Sequence, residues 1–162
     1  MLKGDRILLR LVEHRDAAMI LAWEQMDELV LVTEANNTPS IQVMQQLIDE
    51  QRNVLESGQI RFVMCLLDSN LPIGLVDLYN IDFIENKGEI GIVVVSEKNR
   101  EKGYAGEGLR MMHTYARDVL GIQHISARVD NKNKASNALF ISLGYELEKS
   151  IKITEVKNKF KI

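Results

Sequence analysis

Three consecutive β-type runs, joined by short turns, occupy the middle of the chain and limit its fold more than any other feature. The runs cover residues 61–67, 73–83 and 89–95. Their connections, residues 68–72 and 85–88, are rich in Asp, Asn, Pro and Gly, which favour turns. Such short connections suit antiparallel neighbours, because parallel strands need a much longer crossover. The sequence therefore predicts an antiparallel meander.

The last of these runs is followed by a different order of elements. Residues 90–95 read Ile-Gly-Ile-Val-Val-Val, and this lack of polar alternation predicts a central strand buried on both faces. A polar, glycine-bearing loop leads to a helix over 105–120, a strand over 124–129 and a helix over 134–143. Strand, helix and strand in this order predict a parallel β-α-β crossover. We expect an α/β (α+β) fold, with a mixed, mostly antiparallel central sheet, one crossover and flanking helices.

The two ends of the chain complete this pattern. Residues 6–12 read as a first strand, and apolar spacing predicts a helix over 15–31. Ser40 is a plausible N-cap for a second helix, which Gly58 is placed to end. The tail, residues 146–162, is rich in lysine and predicts one or two edge strands that lysines protect from further pairing. Because we find no internal linker or repeat, we expect residues 1–162 to form a single domain.

Composition excludes several classes of protein. The chain has 162 residues with 46% hydrophobic and 27% charged residues, which is typical of an ordinary globular domain. One cysteine and three histidines offer no zinc-ligand spacing. A net charge of −3 argues against nucleic acid as a partner. No apolar run approaches the roughly 18 residues of a membrane span, and no secretory signal pattern is present, so we expect no membrane partner and a cytoplasmic location.

The loop after the central strand has the features of an anion site. A helix start offers unpaired backbone N–H groups and a partial positive charge. Gly103 lets the backbone approach a phosphate closely, Ala105 is small for the same reason, and Arg100 and Lys102 add cationic groups. The arrangement suits a pyrophosphate.

Two common nucleotide motifs do not fit this loop. Gly103 and Gly108 have the spacing of a P-loop, but Leu109 and Arg110 follow where Lys and Ser or Thr are required. The dinucleotide fingerprint also fails, because Met111 stands where a small residue is needed. What remains is the pattern Arg-x-x-Gly-x-Ala.

This pattern resembles the hallmark of the GNAT superfamily of acyl-CoA-dependent N-acetyltransferases, which is Gln/Arg-x-x-Gly-x-Gly/Ala between a strand and a helix. A second block, residues 131–145, is similar to the family's Asn-x-x-Ser helix that closes with Leu-Gly-Phe/Tyr. The order of elements over residues 5–147 also matches. The opening Leu-Lys-Gly-Asp-Arg-Ile-Leu-Leu-Arg-Leu resembles the branch that contains ribosomal-protein alanine and spermidine acetyltransferases.

The resemblance implies acetyl-CoA as co-substrate and a set of residues that bind it. Backbone groups near the end of the central strand would meet the thioester, the loop would hold the pyrophosphate, and the last helix would contact the pantetheine. Asn133 is either the N-cap of that helix or a pantetheine contact, and it could be both. The implied cofactor-binding residues are Val93, Val94, Val95, Arg100, Lys102, Gly103, Tyr104, Ala105, Gly106, Asn133 and Phe140.

The resemblance also suggests two catalytic residues. An ammonium group must lose its proton before it attacks a thioester, and Glu89 at the start of the central strand matches the position of the family's base. Asp77 and Asp82 are weaker candidates for that role. Many members carry a tyrosine acid in the last helix where this chain has Phe140, so Ser136, one turn earlier on the same face, is the candidate that could protonate the CoA thiolate.

The implied function is transfer of the acetyl group of acetyl-CoA directly to a primary amine, either of a small molecule or of a peptide N-terminus. The alternative is a catalytically weak or inactive acetyl-CoA-binding regulatory module, and a phosphate-binding enzyme unrelated to CoA is a third reading. Acidic residues of the first two helices and the loop before Pro39 would favour a cationic acceptor; they include Glu24, Glu28 and Glu34, with Trp23 beside them. A possible homodimer is left open.

Overall fold

A computed structural model describes residues 1–26, 40–148 and 155–161 of the chain. The strands are β1 (Leu2–Lys3), β2 (Ile7–Leu11), β3 (Ile60–Leu66), β4 (Pro72–Asp82), β5 (Lys87–Val94), β6 (His124–Asp130), β7 (Glu146–Glu148) and β8 (Glu155–Lys161). The helices are α1 (Ala17–Glu24), α2 (Ile41–Glu50), α3 (Val54–Ser57), α4 (Tyr104–Asp118) and α5 (Lys134–Ser142).

The described strands form one sheet in the order β1-β2-β3-β4-β5-β6-β8-β7. Every neighbouring pair is antiparallel except β5 and β6, which are parallel. The helix α4 makes the crossover between these two strands. The predicted meander, the single crossover and the mixed sheet are therefore confirmed.

Alternation along the strands gives the sheet two different faces. The α4 face carries a continuous apolar layer, with Phe62, Leu78 and Ile90 among its buried side chains. Leu109, Met112 and Ala116 of α4 pack onto this layer with no exposed surface. Burial of each large aliphatic side chain contributes about 1.5–3 kcal/mol, so this layer stabilises the packing of the sheet against α4.

The opposite face, called the α1 face, is apolar only where helices cover it. Val63 and Leu75 lie beneath Ile20 of α1 and Met44 and Ile48 of α2. Beyond these helices the same face carries charged and polar side chains, namely Arg61, Asp77, Tyr79 and Glu89, at alternate positions of β3, β4 and β5. One face thus serves packing alone, whereas the other is divided between packing and polar surface.

The expectation that the central strand is buried on both faces is wrong for residues 91–94. These residues are only half-buried, whereas Ile90 and Val95 are buried. The reason is that β6 pairs with β5 over three residues only, from Lys87↔His124 to Glu89↔Ser126. The two strands then diverge, so the second half of β5 has β4 as a neighbour but no β6 pairing.

The predicted second helix is two helices. Ser40 caps α2 as expected, because its Oγ accepts from the Val43 N–H at 3.3 Å. The helix ends at Glu50, and the short helix α3 follows and ends at Gly58 with a φ of +64°. The break redirects the chain, because α2 packs on the α1 face while Val54 of α3 packs against the core of the α4 face.

The predicted first helix is preceded by a 3-10 turn, His14–Asp16, and the described part of it is α1. Asp16 in this turn accepts both arms of the Arg10 guanidinium, at 2.7 and 2.8 Å, which ties α1 to β2. Residues 27–31 of the predicted helix lie outside the described residues, as do Glu28 and Glu34.

The tail contains the two expected strands, but only one of them lies at the edge. The longer strand, β8, runs between β6 and β7 and pairs with both. Lys157, Lys159 and Lys161 therefore stand on an internal strand, and the prediction that they guard an edge is wrong. The edge strand is β7, whose three residues pair with the side of β8 that faces away from β6.

Candidate active site

The site begins where β5 separates from β6. Val95 donates its N–H to the Ile73 carbonyl of β4 at 2.9 Å, so this amide is used within the sheet. In an antiparallel ladder such pairs alternate, which turns the N–H and C=O of the preceding residue, Val94, toward the β6 side. Of Val93, Val94 and Val95, it is Val94 whose N–H the register directs to the opening between the strands.

Arg100 fastens the loop to the end of this strand. Its Nε donates to the Val94 carbonyl at 3.1 Å, and its Nη2 donates to the Val95 carbonyl at 3.4 Å. The guanidinium therefore lies at the opening and fixes the direction in which the loop leaves β5.

The loop then enters α4 at Gly103. This residue is the N-cap with a φ of +81°, a conformation that favours glycine, and it leaves the first N–H groups of α4 without a side-chain cap. The helix has 15 residues, and Lys102 and Tyr104 flank its exposed N-cap. Uncapped N–H groups, a helix dipole and nearby cations are features that fit a diphosphate.

Ala105 and Gly106 differ in their surroundings. Ala105 is half-buried, whereas Gly106 is buried. A Cβ on Gly106 would lie 3.5 Å from Leu139 Cδ1 of α5, which is an ordinary contact distance, so Gly106 lies where α4 faces α5. Further along α4, a buried hydrogen bond of 2.7 Å joins His113 Nε2 to the OH of Tyr145, the residue that precedes β7.

Glu89 lies at the last residue of β5 that pairs with β6, and it is held by two partners. Arg128 of β6 donates to both of its carboxylate oxygens, at 2.7 and 3.2 Å, and Asn80 Nδ2 donates to Oε1 at 3.2 Å. Asn80 stands at an irregularity in β4, with a φ of +50°. The side chain of Glu89 is 15% exposed, so the carboxylate is oriented but still reachable.

A second charged group stands beside Glu89 on the α1 face. Asp77 accepts a two-armed pair of bonds from Arg61, both at 2.8 Å. Burial raises the pKa of Glu24 at the end of α1; Arg61 opposes this effect and Asp77 adds to it. Burial, with the charge of Glu89, also raises the pKa of the Tyr79 phenol. The face is therefore polar, with more carboxylates than guanidinium groups.

The two weaker base candidates have structural partners. Asp77 is engaged by Arg61, as described above. Asp82 Oδ1 accepts from the backbone N–H groups of Ile84 and Glu85, both at 2.9 Å, and so closes the turn between β4 and β5. Glu89 also has partners, but it differs in position, because it lies at the residue where the pairing of β5 with β6 ends.

The last helix carries the other predicted residues. Asn133 caps α5, because its Oδ1 accepts from the Ser136 N–H at 3.0 Å. Ser136 is half-buried in the first turn. Phe140 is 3% exposed, and its ring lies 4.8 Å from the ring of Tyr145 in an edge-to-face arrangement, so it is a core residue. The N-cap prediction for Asn133 is confirmed.

Several residues of the site were not predicted from the sequence. They are Asn80, Arg61 and Arg128, which orient carboxylates, together with Arg6 and Glu107, which contact the loop. Charged residues at alternate positions of otherwise apolar strands were the available signal for Arg61 and Arg128. No local pattern marks Arg6 and Glu107, because they lie 101 positions apart.

The described residues contain no group of three side chains that could hold a metal ion. None of the helices in the described ranges is long and apolar enough to cross a bilayer.

Comparison with known proteins agrees with this geometry. Residues 6–146 match the family model of the acetyltransferase (GNAT) domain. The uncharacterized N-acetyltransferase YoaA of Bacillus subtilis is 28% identical over 148 residues, covering 91% of this chain and 83% of YoaA.

Solved structures share the fold. Spermidine N-acetyltransferase from Vibrio cholerae, crystallised with CoA and spermine, superposes with a TM-score of 0.80 at 19% identity, covering 96% of this chain and 95% of that one. Apo FdhC, a nucleotide-linked sugar GNAT, gives a TM-score of 0.81 at 21% identity, covering 99% of this chain and 89% of that one. The chain belongs to the acetyltransferase (GNAT) domain family and is an N-acetyltransferase that uses acetyl-CoA as its acetyl donor.

Proposed function

We propose that this enzyme acetylates a primary amine, of a small molecule or a peptide N-terminus, and that Glu89 is its general base. The observation that carries the proposal is the position of Glu89, where β5 and β6 part and where Arg128 and Asn80 orient its carboxylate. A base must lie beside the path by which the amine reaches the acetyl donor.

The residues that would hold acetyl-CoA follow β5 into the loop. The Val94 N–H faces the strand opening, and the uncapped N-terminus of α4, with Lys102 nearby, fits the diphosphate. Val93, Val95, Arg100, Tyr104, Ala105 and Gly106 surround these groups along the chain, and Asn133 and Phe140 belong to the facing helix. When bound, acetyl-CoA supplies an activated thioester.

The base is needed because an alkylammonium group has a pKa near 10. Removing its proton at pH 7 costs on the order of 4 kcal/mol. Glu89 accepts this proton, directly or through water, since the Arg128 fork orients its carboxylate, which remains partly exposed.

The acceptor approaches along the polar part of the α1 face. Gly91 lies between Glu89 and Val93 on this face, and a Cβ there would stand 3.6 Å from Tyr79 Cε1. The missing side chain leaves room above the Tyr79 ring. Asp77 pairs opposite Gly91, and its charge also acts on Glu24, so these carboxylates and the aromatic ring favour a cationic amine.

Ser136 is the group that we assign to the departing thiol. It stands in the first turn of α5, where the Asn133 cap fixes the backbone. Phe140 has no hydroxyl and cannot take this role. Because a thiol has a pKa near 8.5, the thiolate is a good leaving group at neutral pH, and the contribution of Ser136 is correspondingly small.

The test measures thiol release from acetyl-CoA with polyamines, amino acids, aminoglycosides and peptide N-termini, against an amine-free background. Thermal unfolding with acetyl-CoA is measured in parallel, since a concentration ten times Kd stabilises by about 1.4 kcal/mol. We expect both stabilisation and amine-dependent release. Stabilisation without release for any amine would replace the proposal by an acetyl-CoA-binding regulatory module.

Location and assembly remain predictions. A cytoplasmic location is part of this proposal. A homodimer is tested by light scattering on the purified protein.

A further inference from the structure

The first turn of α4 carries a buried carboxylate that faces the turn between β1 and β2. Glu107 Oε1 accepts from the backbone N–H groups of Arg6 at 2.9 Å and Ile7 at 3.3 Å, and Oε2 accepts from Arg6 Nε at 3.2 Å. Burial alone would raise the pKa of Glu107, but these hydrogen bonds outweigh it and hold the pKa below its usual range. The charge of Glu107 is balanced locally, so it does not repel an anion at the helix N-terminus.

Arg6 also reaches the loop. Its Nη1 donates to the Lys102 carbonyl at 2.7 Å, and its guanidinium carbon lies 5.0 Å from the centre of the Tyr104 ring. A Cβ on Gly103 would stand 3.0 Å from Arg6 Nη2, so the guanidinium packs directly against the N-cap. One side chain therefore touches three consecutive residues of the loop, while Glu107 holds its Nε.

The backbone at these positions needs such support. Lys102 lies between two residues with positive φ, Glu101 at +59° and Gly103 at +81°. The left-handed conformation is strained for a non-glycine residue such as Glu101, and it persists only where surrounding contacts enforce it. The bond from Arg6 to the Lys102 carbonyl is such a contact.

We propose that Arg6, held by Glu107, is a positioning residue that fixes the loop 101–104 in the conformation that receives the diphosphate of acetyl-CoA. The inference rests on the proposed function only in taking that loop as the diphosphate site. It gives the hairpin of β1 and β2 a role in binding acetyl-CoA, although the proposed reaction uses no group of this hairpin. Without Arg6 the loop must be ordered by the ligand itself, and affinity falls by that cost.

The experiment compares two acetyl donors. Acetyl-CoA contains the diphosphate, whereas S-acetylpantetheine lacks it, and KM and kcat are measured for both with one accepted amine. For Arg6→Lys and for Glu107→Gln we expect KM for acetyl-CoA to rise about tenfold, as for loss of one charge-assisted hydrogen bond, with kcat within twofold. KM for S-acetylpantetheine stays within twofold of wild type.

Each alternative predicts a different pattern. If Arg6 served only as a charge that binds phosphate directly, Arg6→Lys and Glu107→Gln would both retain the affinity for acetyl-CoA, which overturns the proposal. If the pair served the fold alone, KM or kcat would change equally for both donors, which also overturns it. The donor ratio is measured on folded enzyme, so it does not depend on yield.

Arg117→Lys is the matched control, because Arg117 also pairs with an acid on α4, at 2.6 Å from Asp118, but at the opposite, exposed end of the helix. It should leave both KM values unchanged. Wild-type enzyme that neither binds acetyl-CoA nor releases thiol would refute the proposed function. Active wild type with an unchanged donor ratio in both variants would refute only the role of Arg6.

Discussion

The two faces of the central sheet are built from the same strands but differ in what they contribute. On the α4 face, Phe62, Leu78 and Ile90 form a continuous layer under α4. On the α1 face, helices cover only Val63, Leu75 and their neighbours, and the uncovered part carries paired charges. A single alternating strand therefore supplies packing with one set of side chains and, with the other set, the charged groups of the proposed site.

Replacing Glu89 should give the largest effect. Glu89→Gln keeps the size and can still accept a hydrogen bond from Arg128, but it cannot take a proton from the amine. General base catalysis contributes 10²–10⁴-fold, so kcat/KM for the amine should fall by about that factor. Thiol release measures it, and the midpoint of thermal unfolding should change little. Glu85→Gln, an exposed acid of the neighbouring turn, is the control. Full activity of Glu89→Gln would show that Glu89 is not the general base.

Replacing the adjacent residue, Ile90, should have the opposite profile. Ile90 is 1% exposed on the α4 face, and Ile90→Ala removes buried methyl groups and leaves a cavity. The free energy of unfolding should fall by about 2–5 kcal/mol, measured by urea titration. Leu55→Ala, at a position that is 72% exposed, should stay within about 0.5 kcal/mol of wild type. Equal losses at both positions would contradict the assignment of the core to the α4 face.

The α4 side also contains a titrating group that lowers stability in mild acid. Burial, with a smaller contribution from the charge of Arg110, lowers the pKa of His113 to about 4 from 6.5. Between these values the unfolded chain binds a proton that the folded protein does not, so stability falls as the pH falls from 6.5 toward 4. In this window the slope of the free energy of unfolding against pH approaches about 1.4 kcal/mol per pH unit. Above pH 6.5 this group contributes no pH dependence.

His113→Gln tests this slope, because the amide can still bond to Tyr145 but does not titrate. Its free energy of unfolding should fall less than that of wild type between pH 7 and 5. His124→Gln, at an exposed position in β6, should keep the wild-type slope. A His113→Gln slope equal to that of wild type would show that the imidazole is protonated equally in both states.

Ser136 stands on α5, on the α4 side of the sheet. Its replacement therefore tests whether that side also contributes a group to the reaction. Ser136→Ala should lower kcat by up to about tenfold at pH 7, and the loss should shrink above about pH 8.5, where the thiolate needs no proton. Thiol release across this range measures it. Ser142→Ala, in the last turn of the same helix, is the matched control. A loss that stays constant with pH would assign Ser136 to binding instead of proton transfer.

Much of the fold followed from short patterns in the sequence. The three strands of the meander, the crossover and the Ser40 and Asn133 caps each depend on residues close together in the chain, and all are confirmed. The division of the predicted second helix was missed, because it depends on the two cores against which α2 and Val54 pack. The position of β8 inside the sheet was missed because it depends on pairing with β6, which lies far away in the chain.

The candidate site was predicted where one segment carries it. The loop from Arg100 to Ala105 was predicted from neighbouring residues, and the acid Glu89 from the resemblance to a family. The partners that orient them are not: Arg128 lies 39 positions from Glu89, and Glu107 lies 101 positions from Arg6. Such pairs form only when the sheet and its crossover bring distant segments together.

The sequence by itself determined the order of strands and helices, the glycine that starts α4 and the chemical groups near it, because backbone conformation responds to local side chains. The tertiary structure alone decided where β5 and β6 part, which amide of β5 faces the opening and which arginine holds which carboxylate. These features depend on register and on contacts between segments far apart in the chain, and no local preference encodes the distances involved.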